Sequence, residues 1–283
     1  MNNSLVSIII PTKNAGTFLE NCLKSIKIQT YKKIEVLIID GNSQDQTLSI
    51  AKKYKATVIQ YNPHVPKGLF DAPHRRNYGV KKAKGAFVYY LDADMELPKG
   101  LIEEAVAFCT QKFDAVILPE DSFGVGVWAR AKNLERRCYW GDDTIEAPRF
   151  FKKSVWQKVG GLDESLGGGG DDWDLHQKLL DKGYKIGRTK SIVMHNEGDL
   201  RLGKLFRKRY MYGKDSIKYV SKRPKAGVKS YIPFRQAYLK NWRLFVHRPE
   251  DTFFFIVMRS TEYFAGFSGI IVSAVKNEKL LEK

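Results

Sequence analysis

The stretch FVYYLDADMELP, Phe87 to Pro98, sets five apolar or aromatic residues directly against two aspartates one residue apart. An apolar run of that length reads as a strand buried on both faces, and such strands belong to parallel sheets covered by helices. Asp92 and Asp94 point to the same side of an extended chain, so the strand ends on a pair of convergent carboxylates. Oxygen ligands at such a position suit a hard divalent ion, Mg²⁺ or Mn²⁺. The pair also suits a solvated turn, or an aspartate capping the helix that begins near Pro98. Alone, the pattern favours the turn.

Working outward, the first 118 residues alternate strand-like and helix-like segments. Val6–Ile10, Glu35–Ile39, Thr57–Gln60, Ala86–Leu91 and Asp114–Leu118 read as strands. Gly16–Gln29, Gln44–Tyr54, Pro73–Lys84 and Lys99–Gln111 read as the intervening helices. In the first of these, Phe18, Leu19, Cys22, Leu23 and Ile26 share one side. The alternation predicts an α/β fold with a mostly parallel sheet, in which ligands bind at the carboxyl ends of the strands. Asp40, which closes the second strand, and the Asp92/Asp94 pair both fall at that edge.

The chain of 283 residues carries a net charge of +17, which favours phosphate-bearing partners: nucleotides, nucleic acid or anionic lipid headgroups. Three scattered cysteines, Cys22, Cys109 and Cys138, offer no metal-ligand spacing and point to reduced thiols in a cytoplasmic setting. The opening MNNSLVSIII lacks a basic segment before a long apolar core, so no signal peptide is expected.

Residues 119–198 read as less regular, with a glycine run at Gly167–Gly170, a helix from about Asp172 to Lys182, and a strand in SIVMH. From residue 199 the composition shifts, with fifteen Lys/Arg against two Asp over residues 199–248 and aromatics from Phe206 to Phe245 interleaved, Phe234 among them. Thr252–Val275 is long enough to span a bilayer, but Arg259 and Glu262 sit near its middle. Its polar and small residues, at 252, 259, 262, 266, 269 and 273, form one narrow helical stripe. An in-plane membrane helix, or one packed on the preceding domain, is expected in preference to a span.

Two further segments carry chemistry. In IIDGNSQDQT, Gly41 permits a tight turn that Asp45 and Thr47 can fix, and Asp40 can accept from a base N–H or a ribose hydroxyl. The same residues suit a plain Asx turn, and both readings stand. HRRNYGVKKAKG puts Arg75, Arg76 and Asn77 at a helix start just before the Asp-Asp strand, where cations suit a diphosphate, although a solvated basic face accounts for Lys81, Lys82 and Lys84.

Taken together, VSIIIPTKNAGTFLENCLKSI, IEVLIIDGNSQDQT, RRNYGVKKAKG, VYYLDADMELP and GGLDESLGGGGDDWDLHQKLLDKGYKIG resemble, in order, the successive motifs of glycosyltransferase family 2. The resemblance spans residues 5 to about 195 and implies a Rossmann-like GT-A fold, a nucleotide-sugar donor linked to UDP or GDP, and an inverting mechanism. It implies a catalytic domain over 1–198, with 5–118 binding the nucleotide sugar and 119–198 facing the acceptor, followed by a basic, amphipathic helical extension over 199–283.

The resemblance also implies roles. Pro11, Asn14, Asp40, Asn42, Arg76, Asn77 and Asp92 would line the donor site, Asp40 at the base. Asp92 and Asp94, with His195, would hold Mg²⁺ or Mn²⁺ on the diphosphate. Asp172 resembles the catalytic base, and Asp171 stands where relatives carry Glu, so the side chain nearest the acceptor is one methylene shorter. Trp173 would face the acceptor sugar, or sit in the core. Asp171 and Asp172 also suit the start of any helix. The basic-aromatic LFRKRYMYGK resembles a segment that lies near the donor diphosphate or the membrane.

The expected function is transfer of a sugar to a hydroxyl of a glycan or lipid-linked acceptor, by a protein peripheral to the inner face of the cell membrane. Transfer to a polyprenyl phosphate is the near alternative, and an aspartate base argues against it because that acceptor is already an anion. A nucleic-acid-binding protein would suit the basic tail, but no RNA- or DNA-binding motif is visible and nucleic acid is not an expected partner. A catalytically dead scaffold is disfavoured by the presence of Asp40, Asp92, Asp94 and Asp172.

Overall fold

Ile8, Ile9 and Ile10 follow one another in the chain and all three are fully buried. Successive strand residues face opposite sides, so this is possible only where helices cover both faces of a sheet. The computed structural model describes residues 4–65, 70–167, 170–231 and 235–281, apart from the side chains of 228–231 and 276–281. Gly168 and Gly169 of the glycine run, and Phe234 of the aromatic tail, lie outside the described residues.

The chain begins with β1 (Val6–Thr12), α1 (Gly16–Lys27), β2 (Ile34–Asp40), α2 (Thr47–Lys53), β3 (Thr57–Gln60) and α3 (Ala72–Lys82). It continues through β4 (Phe87–Tyr90), β5 (Met95–Glu96), α4 (Leu101–Gln111), β6 (Ala115–Ile117), β7 (Glu120–Val125) and α5 (Gly126–Cys138). Then come β8 (Phe150–Lys152), α6 (Lys153–Val159), α7 (Gly170–Asp181), β9 (Ile186–Arg188) and β10 (Val193–Asp199). Helices α8 (Leu202–Lys222), α9 (Pro224–Tyr231), α10 (Gln236–Lys240), α11 (Trp242–Val246) and α12 (Pro249–Leu281) close the described chain.

Seven strands form the main sheet in the order β3-β2-β1-β4-β8-β6-β9, parallel except where β8 runs against β4 and β6. Alternation along the strands divides the core in two. Ile8, Ile10, Tyr89 and Phe150 pack with α1, α2 and α4 on one face, and Ile9, Tyr90, Phe151 and Trp156 pack with α3, α6 and α7 on the other. Each such side chain contributes about 1.5–3 kcal/mol by leaving water. The expected α/β architecture and the strand Thr57–Gln60 are reproduced, and most other element ends lie within three residues of expectation.

The stretch after residue 118 departs from its irregular reading, for it supplies β7, α5, β8 and α6. These elements are short or polar, so their periodicity is faint in the sequence. Strands β5, β10 and β7 build a small second sheet, and β10 pairs with β5 so that His195 lies opposite Met95. A bond from Asn196 N to Asp94 O (2.8 Å) completes that junction.

Helix α12 packs on α5 and α8, the packed alternative foreseen for the apolar tail. Its small residues allow close approach. A Cβ added to Gly269 would stand 2.2 Å from Tyr210 O, and one on Gly213 2.1 Å from Gly266 O. Arg259 and Glu262, the two charges of the apolar run, are buried against α5 and α8 rather than presented to solvent.

Candidate active site

Strand β4 ends with its last side chains buried, so Asp92 emerges at the carboxyl edge of the sheet, beside the ends of β1 and β2. There a cavity of about 410 Å³ opens, lined among others by Arg76, Asp92, Glu120, Arg149, Asp172 and His195. The start of α7 brings Asp171 and Asp172 to the same cavity.

The positive partners of Asp92 are two guanidinium groups. Arg76 Nη2 donates to Asp92 Oδ1 at 2.8 Å and Arg149 Nη1 to Oδ2 at 2.9 Å. Burial alone would raise the pKa of Asp92, but the two arginines outweigh it and hold the carboxylate well below its usual range. Arg76 also reaches Asp171 (3.2 Å) and Asp172 (3.5 Å), and Arg149 reaches Asp172 (3.6 Å) and Glu120 (3.5 Å). Both guanidinium groups lie over the Tyr90 ring, at 4.8 and 5.7 Å, while the Tyr90 hydroxyl donates to Asp172 Oδ1 at 2.8 Å. Asp171 is almost wholly buried. Burial and then the adjacent Asp172 push its carboxyl up to about 7, against the pull of Arg76.

Asp94 is arranged differently. Its Oδ2 faces His195 Nε2 at 3.2 Å, and its buried Oδ1 has no partner among the described residues. Burial and Arg136 push the His195 imidazole down, yet its hydrogen bonds to Asp94 and Glu120 prevail and raise it to about 9. An orphaned carboxylate oxygen beside an imidazole is a donor set that fits Mn²⁺ or Mg²⁺. Among the described residues no three His, Cys, Asp or Glu side chains converge to cage an ion, so water and a ligand's phosphates would complete its shell. Asp92, expected beside Asp94 as a ligand, has each oxygen on an arginine instead.

The remaining expected residues divide. Trp173 lines the cavity, its Nε1 donating to Ile145 O at 3.1 Å. Pro11, Asn14, Asp40 and Asn42 form the neighbouring β1–β2 edge. Asp40 is completely buried there, accepting from Thr12 Oγ1 (2.9 Å), Ser43 Oγ (2.6 Å) and Ser43 N (2.9 Å). These are the bonds of the Asx-turn reading. Asn14 and Asn42 both adopt positive φ, at 53° and 64°, and Asn14 Oδ1 accepts from Gln44 N at 2.8 Å. Gly41 is required by a close approach, since any Cβ would overlap the Arg75 guanidinium. Asn77 turns away from the cavity to bond Leu162 O (2.9 Å) and Glu164 (3.0 Å).

Sequence reasoning missed Arg149, Glu120 and Arg136. Glu120 carried the signal of the opening stretch, a carboxylate closing the apolar run AVILP, whereas Arg149 stands alone between Pro148 and Phe150 with nothing to mark it. The C-terminal helices also reach this cavity, through Lys204, Lys208, Arg209 and Glu262. A wider hollow of about 780 Å³ opens behind Trp173. Of its cations, Lys222 and Arg223 are paired with Asp163, Asp174 and Asp181, and Lys225 also lines it; Asp171 and Asp172 are not among its lining residues.

Known proteins resemble this chain in sequence and in fold. A PGL/p-HBAD biosynthesis glycosyltransferase of Mycobacterium bovis (strain BCG / Pasteur 1173P2) is 36% identical over 203 residues, 67% of this chain and 75% of that protein. The poly(ribitol-phosphate) beta-N-acetylglucosaminyltransferase TarP of Staphylococcus aureus (strain N315) is 29% identical over 169 residues, 54% of this chain. The chain spans about half the length of that relative, 50%. In structure, the mannosyltransferase PcManGT from Pyrobaculum calidifontis, solved with GDP-Man and Mn²⁺, superposes with a TM-score of 0.63 at 18% identity, over 98% of this chain and 88% of that one. Residues 7–165 match the model of Glycosyl transferase family 2. With the GT-A fold and this match over more than half its length, the chain belongs to glycosyl transferase family 2.

Proposed function

We propose that this protein transfers a sugar from a nucleotide-diphosphate donor to a hydroxyl of a glycan or lipid-linked acceptor, with inversion, at the cytoplasmic face of a membrane. One observation carries the reading: the Asp171–Asp172 pair and Asp92, from distant parts of the chain, surround one guanidinium, Arg76, at the carboxyl edge of the sheet. Asp172 takes the proton of the acceptor hydroxyl as its oxygen bonds the anomeric carbon. The bond from that carbon to the diphosphate breaks, and its electron pair leaves with the nucleoside diphosphate. Base assistance of this kind contributes about 10²–10⁴-fold. Tyr90 orients the base through its hydroxyl. Arg76, Arg149, Lys204 and Lys208 line the same cavity and complement an anionic diphosphate. Asp94 and His195 would hold Mn²⁺ or Mg²⁺, with Asp92 beside them on its two arginines, and the ion would neutralise charge growing on the leaving group. The relatives' names, which include transfer to poly(ribitol-phosphate) and to an undecaprenol-linked glycan, support a polymeric or lipid-linked acceptor.

The test is thermal stability with UDP- and GDP-sugars, each with and without Mn²⁺. A ligand bound by the folded state alone raises the melting temperature, by about 2.7 kcal/mol of stability at a hundredfold excess over Kd. A rise that needs Mn²⁺ and disappears in Asp94→Ala is expected. No rise with any nucleotide sugar would overturn the donor assignment.

A further inference from the structure

Helix α12 is inside out relative to a helix on a water-facing surface. Its buried residues include Phe255, Met258, Arg259, Glu262 and Ala265, and at 3.6 residues per turn these fall on one side. That side carries its central charges, held by Glu135 and Lys132 of α5 and Arg209 of α8. The opposite side is open and, Ser260 apart, apolar. Phe253 (62%), Ile256 (57%), Phe264 (67%), Phe267 (63%), Ile271 (47%) and Val275 (46%) are exposed, and they occupy one arc of roughly 100°. The helix cannot rotate to hide this stripe without exposing the ion pairs and losing the close contacts of Gly269 and Gly213 with α8. Those same pairs argue against a span, since crossing a bilayer would strip Arg259 and Glu262 of their partners.

The apolar face continues beyond the helix. Phe206 of α8 packs on Phe264 with ring centroids 6.3 Å apart, and Leu239, Trp242 and Val246 of α10 and α11 are exposed. Beside them Lys240 and Arg243 are exposed, with Arg243 over the Trp242 ring, while Arg248 is paired with Asp251 at 2.7 Å. An exposed Trp among cations at one end of an apolar stripe is the pattern of an interfacial helix on an anionic bilayer.

We infer that the protein docks on an anionic lipid bilayer through the outer face of α12 and the exposed residues of α10 and α11, with α12 lying in the plane of the surface and its charged side clamped to α5 and α8. This deepens the membrane location proposed above. Because α8 and α12 also line the cavity, docking would put the acceptor side of the site close to the lipid surface.

The test uses the whole chain, floated with vesicles of phosphatidylcholine alone or mixed with phosphatidylglycerol. Wild type is expected to float with the anionic vesicles. In Phe264→Ser/Phe267→Ser the partition coefficient should fall by about tenfold per residue, with unchanged melting temperature and unchanged response to donor. Arg243→Ser should weaken binding to anionic vesicles only. Wild type that stays in solution with both vesicles, or a double variant that still floats, overturns the inference. So does a dimer in light scattering that the double variant makes monomeric, which would assign the face to a second copy. Flotation reads no donor, so its failure leaves the transfer reading standing.

Discussion

The protein contains two buried clusters of charge, built alike and balanced in opposite ways. In the bundle, Glu135 and Glu262 face Lys132, Arg209 and Arg259, so cations outnumber carboxylates. At the cavity, Asp92, Asp94, Glu120, Asp171, Asp172 and Glu197 are ion-paired with Arg76, Arg136, Arg149 and His195, while Lys132, Lys204, Lys208 and Arg209 also line the space. The first cluster is complete in itself and fastens three helices. In the second, the carboxyl groups outnumber the cations ion-paired to them, and among the described residues one oxygen of Asp94 has no partner, an arrangement that keeps capacity for a positive guest.

Charge removal should therefore act differently in the two places. Asp172→Asn is expected to lower kcat by about 10²–10⁴-fold while leaving the melting temperature no lower than wild type, because it removes the charge that repels Asp171. Steady-state kinetics beside a thermal melt would show both; intact turnover would remove Asp172 from the role of base. In the bundle, Arg259→Ala leaves Glu135 and Glu262 buried beside one cation fewer, and breaking such a group costs about 3–5 kcal/mol. A urea titration should show the midpoint falling with little change in slope. A loss below about 1 kcal/mol would mean that the cluster is better hydrated than its burial suggests.

A smaller effect separates packing from charge in the same bundle. Gly269→Val places a side chain where Tyr210 O leaves a Cβ only 2.2 Å, and overpacking of this kind costs about 1–3 kcal/mol. Donor binding, measured per folded molecule, should be unaffected. If stability holds, α8 and α12 do not touch at these glycines.

The legible parts of the molecule follow from the same contrast. Strands β1, β2 and β4 are covered on both faces, so their sequences are nearly pure apolar runs, and Asp40 and Asp92 at their ends were visible as interruptions. The position of Arg76 was visible too, but its partners were not, since Asp171 and Asp172 lie 95 and 96 residues away. Arg149 was hidden because β8 is three residues long and no spacing rule points to it. In α12 the polar stripe was readable, whereas its direction was not: Arg259 and Glu262 could be recognised as facing inward only once Glu135, Lys132 and Arg209 were in place.

The smallest expected effect sharpens the comparison through pH. Burial would raise Glu135 and Glu262, but the surrounding Arg259, Lys132 and Arg209 lower them. Their contribution is therefore present at neutral pH and is lost as pH falls through the depressed folded values. Asp171 has the opposite sign. Its carboxyl is pushed up to about 7 by burial and by Asp172, so between the unfolded value of about 3.9 and its folded value the native state binds a proton that the unfolded chain does not. Stability from this group falls as pH rises across that window and is level above it. Glu146, pushed up to about 7 by burial against the pull of Arg188, adds a decline of the same sign. Asp171→Asn should melt close to wild type near pH 5 and above it by pH 8, with Glu146→Gln removing the rest of the slope. A gap that fails to open between those conditions would mean that Arg76 alone compensates Asp171, in spite of its burial beside Asp172.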